Sequence, residues 1–357
     1  MKATATRRNR RAGGIAYACV LIAGCSPAYV LQQAGGQLKL LAARRPIEEV
    51  IAAPATPAAA RERLLLIREA RAWGEREIGL KHTDSYETYV DLQGKPVSWL
   101  VTACPPDSLE TESWWFPVVG RVPYLGFFDL DDARAEKEDL EAKGLDVHVR
   151  AVPAYSTLGW FADPVFSTFI QWPAYQAIDT IFHETTHATL WIPGSASLNE
   201  ALADVVGEAG ARKFLSEKFG PDSPQLVAFE SSRAESALFH KFALDLNSAL
   251  LAAYALDLPR AEKLEFKSAI FRSGRERIRA LRDRFTSRYY REFDRLEWNN
   301  ALIASIAVYR EEEGKWRAVL DSKGGDVRAL LMEAKAIAGE SDPKAALAAA
   351  AARAASR

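Results

Sequence analysis

Two of the five histidines in this 357-residue chain, His183 and His187, stand four residues apart. They lie in the run Ile181-Phe182-His183-Glu184-Thr185-Thr186-His187-Ala188-Thr189-Leu190-Trp191. On a helix, residues four apart project from one face, one turn apart. That spacing lets two imidazoles chelate one zinc ion. It also sets the Glu184 carboxylate beside the ion, where it can take a proton from a zinc-activated water. The flanking residues fit a helix with an inward apolar side: Pro173 can open its first turn, and Tyr175, Ile178, Phe182 and Leu190 recur along one stripe. The competing reading is a helix with two structurally satisfied histidines.

Catalytic zinc usually takes three protein ligands and keeps one position open. Glu200 follows in Asn199-Glu200-Ala201-Leu202-Ala203-Asp204 and is the expected third ligand. Asp204 lies four residues further on the same helical face, placed to accept the free ring N–H of a ligand histidine and fix its tautomer. Trp191-Ile192-Pro193-Gly194-Ser195 supplies the turn between the two helices. Two alternatives stay open. Ser197-x-x-Glu200 also fits a capping box, and Glu208, one turn further along, is a second candidate for the third ligand.

These motifs carry a family resemblance. HExxH followed by NExxxD is similar to the gluzincins, the thermolysin-like zinc peptidases, although the gap from His187 to Glu200 is shorter than in thermolysin. The chain resembles more fully a bacterial family of predicted lipoprotein aminopeptidases. The matching segments are Val122-Pro123-Tyr124-Leu125-Gly126-Phe127-Phe128, Ala154-Tyr155-Ser156-Thr157-Leu158-Gly159-Trp160-Phe161, HETTHATLW, NEALADVVGE and Asn299-Asn300-Ala301. The resemblance covers nearly all of the chain after its leader, and implies a zincin fold and peptidase activity on a peptide substrate. The G-x-M-E-N motif of one large gluzincin aminopeptidase group is absent, since the only methionines are Met1 and Met332. Asp179, Glu230 and Glu235 are candidates for binding a substrate amine. A zinc endopeptidase, a cell-wall peptide amidase and a non-catalytic envelope scaffold are the alternatives to an aminopeptidase.

In zincins an extended edge strand before the active-site helix lines the substrate cleft and pairs with the peptide backbone. Tyr155, Ser156, Thr157 and Gly159 fit that role, while Trp160 and Phe161 fit buried packing equally well. The oxyanion formed during peptide attack needs a donor besides zinc. Tyr289 and Tyr290 are the leading candidates, with Tyr309 and His240 available. His82 and His148 have no metal spacing and stay unassigned.

The amino terminus reads as a leader. Lys2, Arg7, Arg8, Arg10 and Arg11 precede an apolar run, Gly13 to Gly24, too short to span a bilayer. Ile22-Ala23-Gly24-Cys25 resembles a lipobox, which implies cleavage before Cys25, lipidation of its thiol and anchoring to the membrane. Ser26 favours the outer membrane, with the protein facing the periplasm. Removing residues 1–24 takes away five bases and no acid, leaving 41 bases against 47 acids. That balance gives no electrostatic case for binding nucleic acid. The 48% hydrophobic content excludes a disordered chain. Cys104 reads as a buried structural thiol.

The expected organisation is a signal peptide over 1–24, a lipidated amino terminus and tether over 25–60, a zincin-like metallopeptidase domain over 61–340, and an Ala-rich tail over 341–357, a frayed helix from Ala345 to Arg357. The fold expected is α+β and mostly helical, with a small twisted sheet before the zinc-binding helix and a helical carboxy-terminal half. Periodicity predicts helices over 30–51, 61–79 and 131–143, and strands over 86–92, 97–103, 114–119 and 147–152. Almost everything from Pro173 onward has helical period.

Overall fold

The computed structural model describes residues 27–116, 120–152, 162–306 and 311–356. Helix α1 (Pro27–Ala42) is followed by the short strand β1 (Arg45–Pro46) and helix α2 (Ile47–Ala52). The single helix expected over 30–51 is thus broken. Pro46 has no amide to donate and pushes Arg45 into an extended conformation. Helix α3 (Ala58–Trp73) runs into one π-helical turn, Gly74–Ile78, closed by Gly79 at φ 77°.

The strands come next: β2 (Thr88–Val90), β3 (Ser98–Cys104), β4 (Trp114–Phe116), β5 (Gly120–Val122) and β6 (Leu125–Phe127). Helix α4 (Leu130–Ala142) follows, and the Asp129 side chain caps it by accepting the Asp131 amide. It ends where Gly144 turns to φ 81°. Strands β7 (Asp146–Val152) and β8 (Val165–Phe166) complete the set. Among the described residues the strands form three small sheets rather than one, in the orders β1-β2-β8, β6-β3-β7 and β4-β5. In the second, β3 pairs antiparallel with both neighbours, Val101 opposite Leu125 on one side and Val149 on the other. In the first, β8 runs parallel to β2.

Helix α5 (Thr168–Gln171) opens the helical half. It continues with α6 (Ala174–Thr189), α7 (Ala196–Phe219), α8 (Pro224–Tyr254), α9 (Arg260–Ala280), α10 (Arg288–Arg291), α11 (Asn300–Ile306), α12 (Glu311–Ser322), α13 (Val327–Ala338) and α14 (Pro343–Ala355). About 65% of the described residues are helical, with small sheets, an α+β architecture. Among the described residues no helix is long and apolar enough to cross a membrane.

The main core gathers α2, α3, α6, α7, α12, α13 and α14. Two expectations change here. Ile47 and Val50 of the expected tether are buried in this core, and Tyr29 bonds the Gly126 carbonyl at 2.8 Å. The tail forms the expected helix, but docked rather than frayed: Asp342 caps α14 through the Ala345 amide, and Leu347 and Ala350 are buried. Alanine gives α14 its helix propensity, and burial of Leu347 gives it a place. A second core, around Phe239, Phe242, Phe293 and Trp298, joins α8, α9 and α11.

Helices α6 and α7 approach closely because α7 carries glycine where they touch. A Cβ added at Gly207 would stand 2.8 Å from Asp179 Oδ1, 3.0 Å from the Asp179 carbonyl oxygen and 3.3 Å from His183 Cβ. Gly207→Ala is expected to cost about 1–3 kcal/mol through overpacking, read as a lower urea midpoint. An unchanged midpoint would mean that the two helices part without cost.

Candidate metal centre

Helix α6 owes its position to one apolar stripe. Ile178, Ile181 and Phe182 are fully buried, and Trp73 stacks on Phe182 with ring centres 5.7 Å apart. The three threonines in its last turns satisfy their hydroxyls internally. Thr185 donates to the Ile181 carbonyl, Thr186 to Phe182 and Thr189 to Thr185, at 2.6–2.7 Å. This removes the cost of burying them. The opposite stripe carries His183 and His187.

Asn199 sets the entry to α7. Its Nδ2 donates to the carbonyls of Ile192 (2.8 Å) and Ser195 (3.0 Å), and its Oδ1 accepts the Ile192 amide (2.8 Å). The Trp191–Ser195 turn, with Gly194 at φ 71°, is thereby locked to the residue next to Glu200. Helix α7 begins at Ala196 with Ser195 at its cap. Ser197 lies inside the helix, so the capping-box reading of Ser197 and Glu200 does not hold.

Three side chains converge between the helices. His183 Nε2 and His187 Nε2 lie 3.2 Å apart. Glu200 Oε2 is 3.5 Å from the first, and Glu200 Oε1 is 3.5 Å from the second. These three residues offer ligand atoms close enough to hold one metal ion. On the far side of His183, Asp204 Oδ1 lies 3.2 Å from Nδ1. His187 Nδ1 is buried without a hydrogen-bond partner among the described residues, and the His187 ring meets the edge of Trp191 at 5.7 Å.

The electrostatics favour a cation here. Burial works against a charged ring at His183, but hydrogen bonds to Asp204 and Glu200 and the charges of Asp204 and Glu184 push it up to about 10. Burial and the neighbouring His183 charge hold His187 down at about 4, against Glu200 and Asp204. Burial would raise the Glu200 carboxyl, yet the two imidazoles lower it. One positive charge, carried by the His183 ring, is thus what Asp204, Glu200 and Glu184 together stabilise.

Glu208 takes no part in this group. Both of its oxygens are held by arginines: Arg212 at 2.9 Å, Arg317 at 2.5 and 3.1 Å, and Arg233. The second candidate for the third ligand is therefore a buried ionic junction tying α7 to α8 and α12. Of the acids considered for amine binding, Glu230 is paired with Arg212 at 2.6 Å. Glu235 accepts the amides of Thr286 and Ser287 and the Thr286 hydroxyl. Asp179 lies one turn before His183 and is pushed up to about 6 by burial, opposed by Arg233 and His183.

Tyr289 and Tyr290 belong to the second aromatic cluster, not to the group formed by His183, His187 and Glu200. Tyr290 stacks on Phe239 at 4.3 Å. Tyr289 is half exposed, its phenol pushed up to about 12 by burial and by Tyr290. His240 lies half-buried in α8. His148 in β7 is held down at about 4 by burial, Arg150 and Lys137. His82 is exposed beside Glu75 at 3.0 Å. Cys104 is fully buried and its thiol is pushed up to about 12 by burial, Asp146 and Glu112, against Lys267. Tyr155, Ser156, Thr157, Gly159, Tyr309, Cys25 and the leader lie outside the described residues.

Tyr86, a core residue in the field of Glu184, was not visible as such in the sequence. It is buried, and its backbone sits at φ 65° with its amide donating to the Asp163 carbonyl at 2.6 Å. Positive φ is uncommon in a bulky side chain. Burial raises its phenol well above the ordinary range, and the nearby charges of Glu184 and Asp163 raise it further. No local pattern marks such a residue, because its neighbour is nearly a hundred positions away.

Comparison with known families agrees with a peptidase reading at the level of class. The family described as "Putative aminopeptidase" matches residues 28–347, and the chain belongs to that family. Neither a curated protein nor a solved structure matches the chain.

Proposed function

We propose that the protein is a zinc-dependent aminopeptidase of the gluzincin type with a zincin-like fold, in which His183, His187 and Glu200 bind zinc. The observation that carries this reading is the convergence of the three side chains: the two Nε2 atoms stand 3.2 Å apart, and each lies 3.5 Å from one Glu200 carboxylate oxygen, Oε2 for His183 and Oε1 for His187. Ligands on one tetrahedral zinc, with bonds of about 2.0–2.1 Å, stand about 3.3 Å apart. Two imidazoles and one carboxylate form the donor set of catalytic rather than structural zinc, and the carboxylate behind His183 adds the usual outer partner. The family membership supports the peptidase class.

Zinc bound there supplies a Lewis acid and lowers the pKa of water to about 7. Glu184, next to His183 on α6, takes the proton of the attacking water and hands it to the leaving amine. Asp204 accepts from His183 Nδ1 and keeps the Nε2 lone pair turned toward Glu200 and His187. Lipid attachment at Cys25 and residence at the outer membrane belong to the same proposal and rest on the leader alone. An intact mass that begins at Cys25 with acyl chains attached is the expected reading, and an unmodified amino terminus removes that part.

The test of the activity uses purified mature protein. It is expected to hold about one zinc per chain by elemental mass spectrometry. It is also expected to hydrolyse aminoacyl reporters, to stop on chelation and to recover with added zinc. A protein that takes up no zinc sinks the metal assignment. Cleavage of internally quenched, N-blocked peptides alone replaces the aminopeptidase with an endopeptidase or cell-wall peptide amidase. A zinc-loaded protein that cleaves neither is a scaffold.

A further inference from the structure

One cavity, of about 400 Å3, shares no residue with the histidine pair. Its walls are Arg282, Thr286, Arg288, Arg291, Glu292 and Arg295, with no large apolar side chain among them. The surrounding segment, residues 272–295, holds nine arginines and four acids, in a chain whose whole net charge is −1.

The segment is anchored from below. Phe285 and Phe293 are buried, and Asp294 is buried beneath the cavity, where it receives Arg279 and Arg282 at 2.9–3.2 Å. Arg275 bonds the carbonyls of Asp294 and Leu296, and Glu235 holds the backbone at Thr286 and Ser287. Inward anchors alternate with outward guanidinium groups, so the arginines are presented from fixed backbone.

The charges in the cavity do not cancel. Arg282 is committed to Asp294 and to the Arg291 carbonyl. Arg288 and Arg295 share one carboxylate, Glu292, at 3.0 and 3.7 Å. Arg291 is exposed and makes no ion pair with the described residues. Holding like charges together costs free energy that a bound anion recovers. Guanidinium forks match the oxygens of phosphate in bidentate pairs, and a wall with four arginines and one acid favours an anion.

We propose that this cavity binds a phosphate-bearing anion, with Arg291 as its principal uncommitted contact. A soluble phosphate ester and the headgroup of an anionic lipid share this chemistry, and the experiment separates them. Full-length mature protein is titrated with glycerol phosphate by calorimetry at low salt, and sedimented with vesicles of phosphatidylglycerol or of phosphatidylcholine. Arg291→Ala and Arg291→Glu are run beside the wild type, with zinc content and thermal midpoint checking that they fold. The expected result is binding that weakens about tenfold or more in Arg291→Ala and vanishes in Arg291→Glu. Binding of glycerol phosphate in solution assigns a soluble ester. Binding confined to phosphatidylglycerol vesicles assigns a lipid headgroup. The proposal is overturned if neither probe binds, if Arg291→Glu binds like the wild type, or if an acidic peptide binds as tightly as glycerol phosphate.

Discussion

Mature protein carrying Glu184→Gln is expected to keep zinc at the wild-type ratio and to hydrolyse aminoacyl reporters about 10²–10⁴-fold more slowly. Glutamine has the same shape as glutamate but no carboxylate to accept a proton. In the proposed site Glu184 is not a ligand, so the donor set of His183, His187 and Glu200 is left whole. His183 loses one of the charges that raise it but keeps Asp204 at 3.2 Å. The loss should therefore fall on kcat, with KM little changed, because the proton transfer belongs to the chemical step. Zinc content measured on the same sample separates outcomes. Activity within a few-fold of wild type removes Glu184 as the base. Loss of both zinc and activity makes Glu184 a support of the metal site instead.

Glu208→Gln is expected to destabilise the protein by about 3 kcal/mol near neutral pH, with the difference vanishing in acid. The Glu208 side chain is 6% exposed. Burial alone would raise its carboxyl, but hydrogen bonds and charge from Arg317, Arg233 and Arg212 hold it at about 2, below the ordinary 4.5. A carboxyl lowered in the folded state binds fewer protons there than in the unfolded chain. Its stabilisation is fully present above about pH 4.5 and is lost as pH falls toward 2. Neutralising Glu208 also takes from Arg212, Arg233 and Arg317 the carboxylate they share, while Arg212 keeps Glu230 and Arg317 keeps Glu313. Urea unfolding of both proteins at several pH values between 2 and 8 measures the gap. A gap that is small at pH 7, or that grows on acidification, contradicts this account.

The helix around His183 and His187 was legible because its information is local. A spacing of four, an apolar stripe and an opening proline all lie within seventeen residues, from Pro173 to Thr189. The α+β class and the helical second half were legible for the same reason. The continuous helix over 30–51 was misread because the effect of Pro46 on Arg45 outweighs the leucine periodicity. The Ala-rich tail was misread because composition reports helix propensity and not docking. Leu347 finds its place only against helices that precede it by many residues.

The choice between Glu200 and Glu208 shows where local reasoning stops. Both lie on one face of α7, and spacing alone leaves each able to reach a metal. Three arginines drawn from α7, α8 and α12 take Glu208, and the turn that Asn199 locks leaves Glu200 facing the imidazoles. By itself the sequence determined the histidine pair on one helix face, the residue beside it and the helix that carries them, because helical period converts spacing directly into direction. Only the tertiary structure decided which carboxylate lies against the two imidazoles, that Tyr86 stands in the field of Glu184, and that arginines of 282–295 line one cavity. Those facts depend on which distant segments pack together, and packing is set by the whole core rather than by any one stretch of chain.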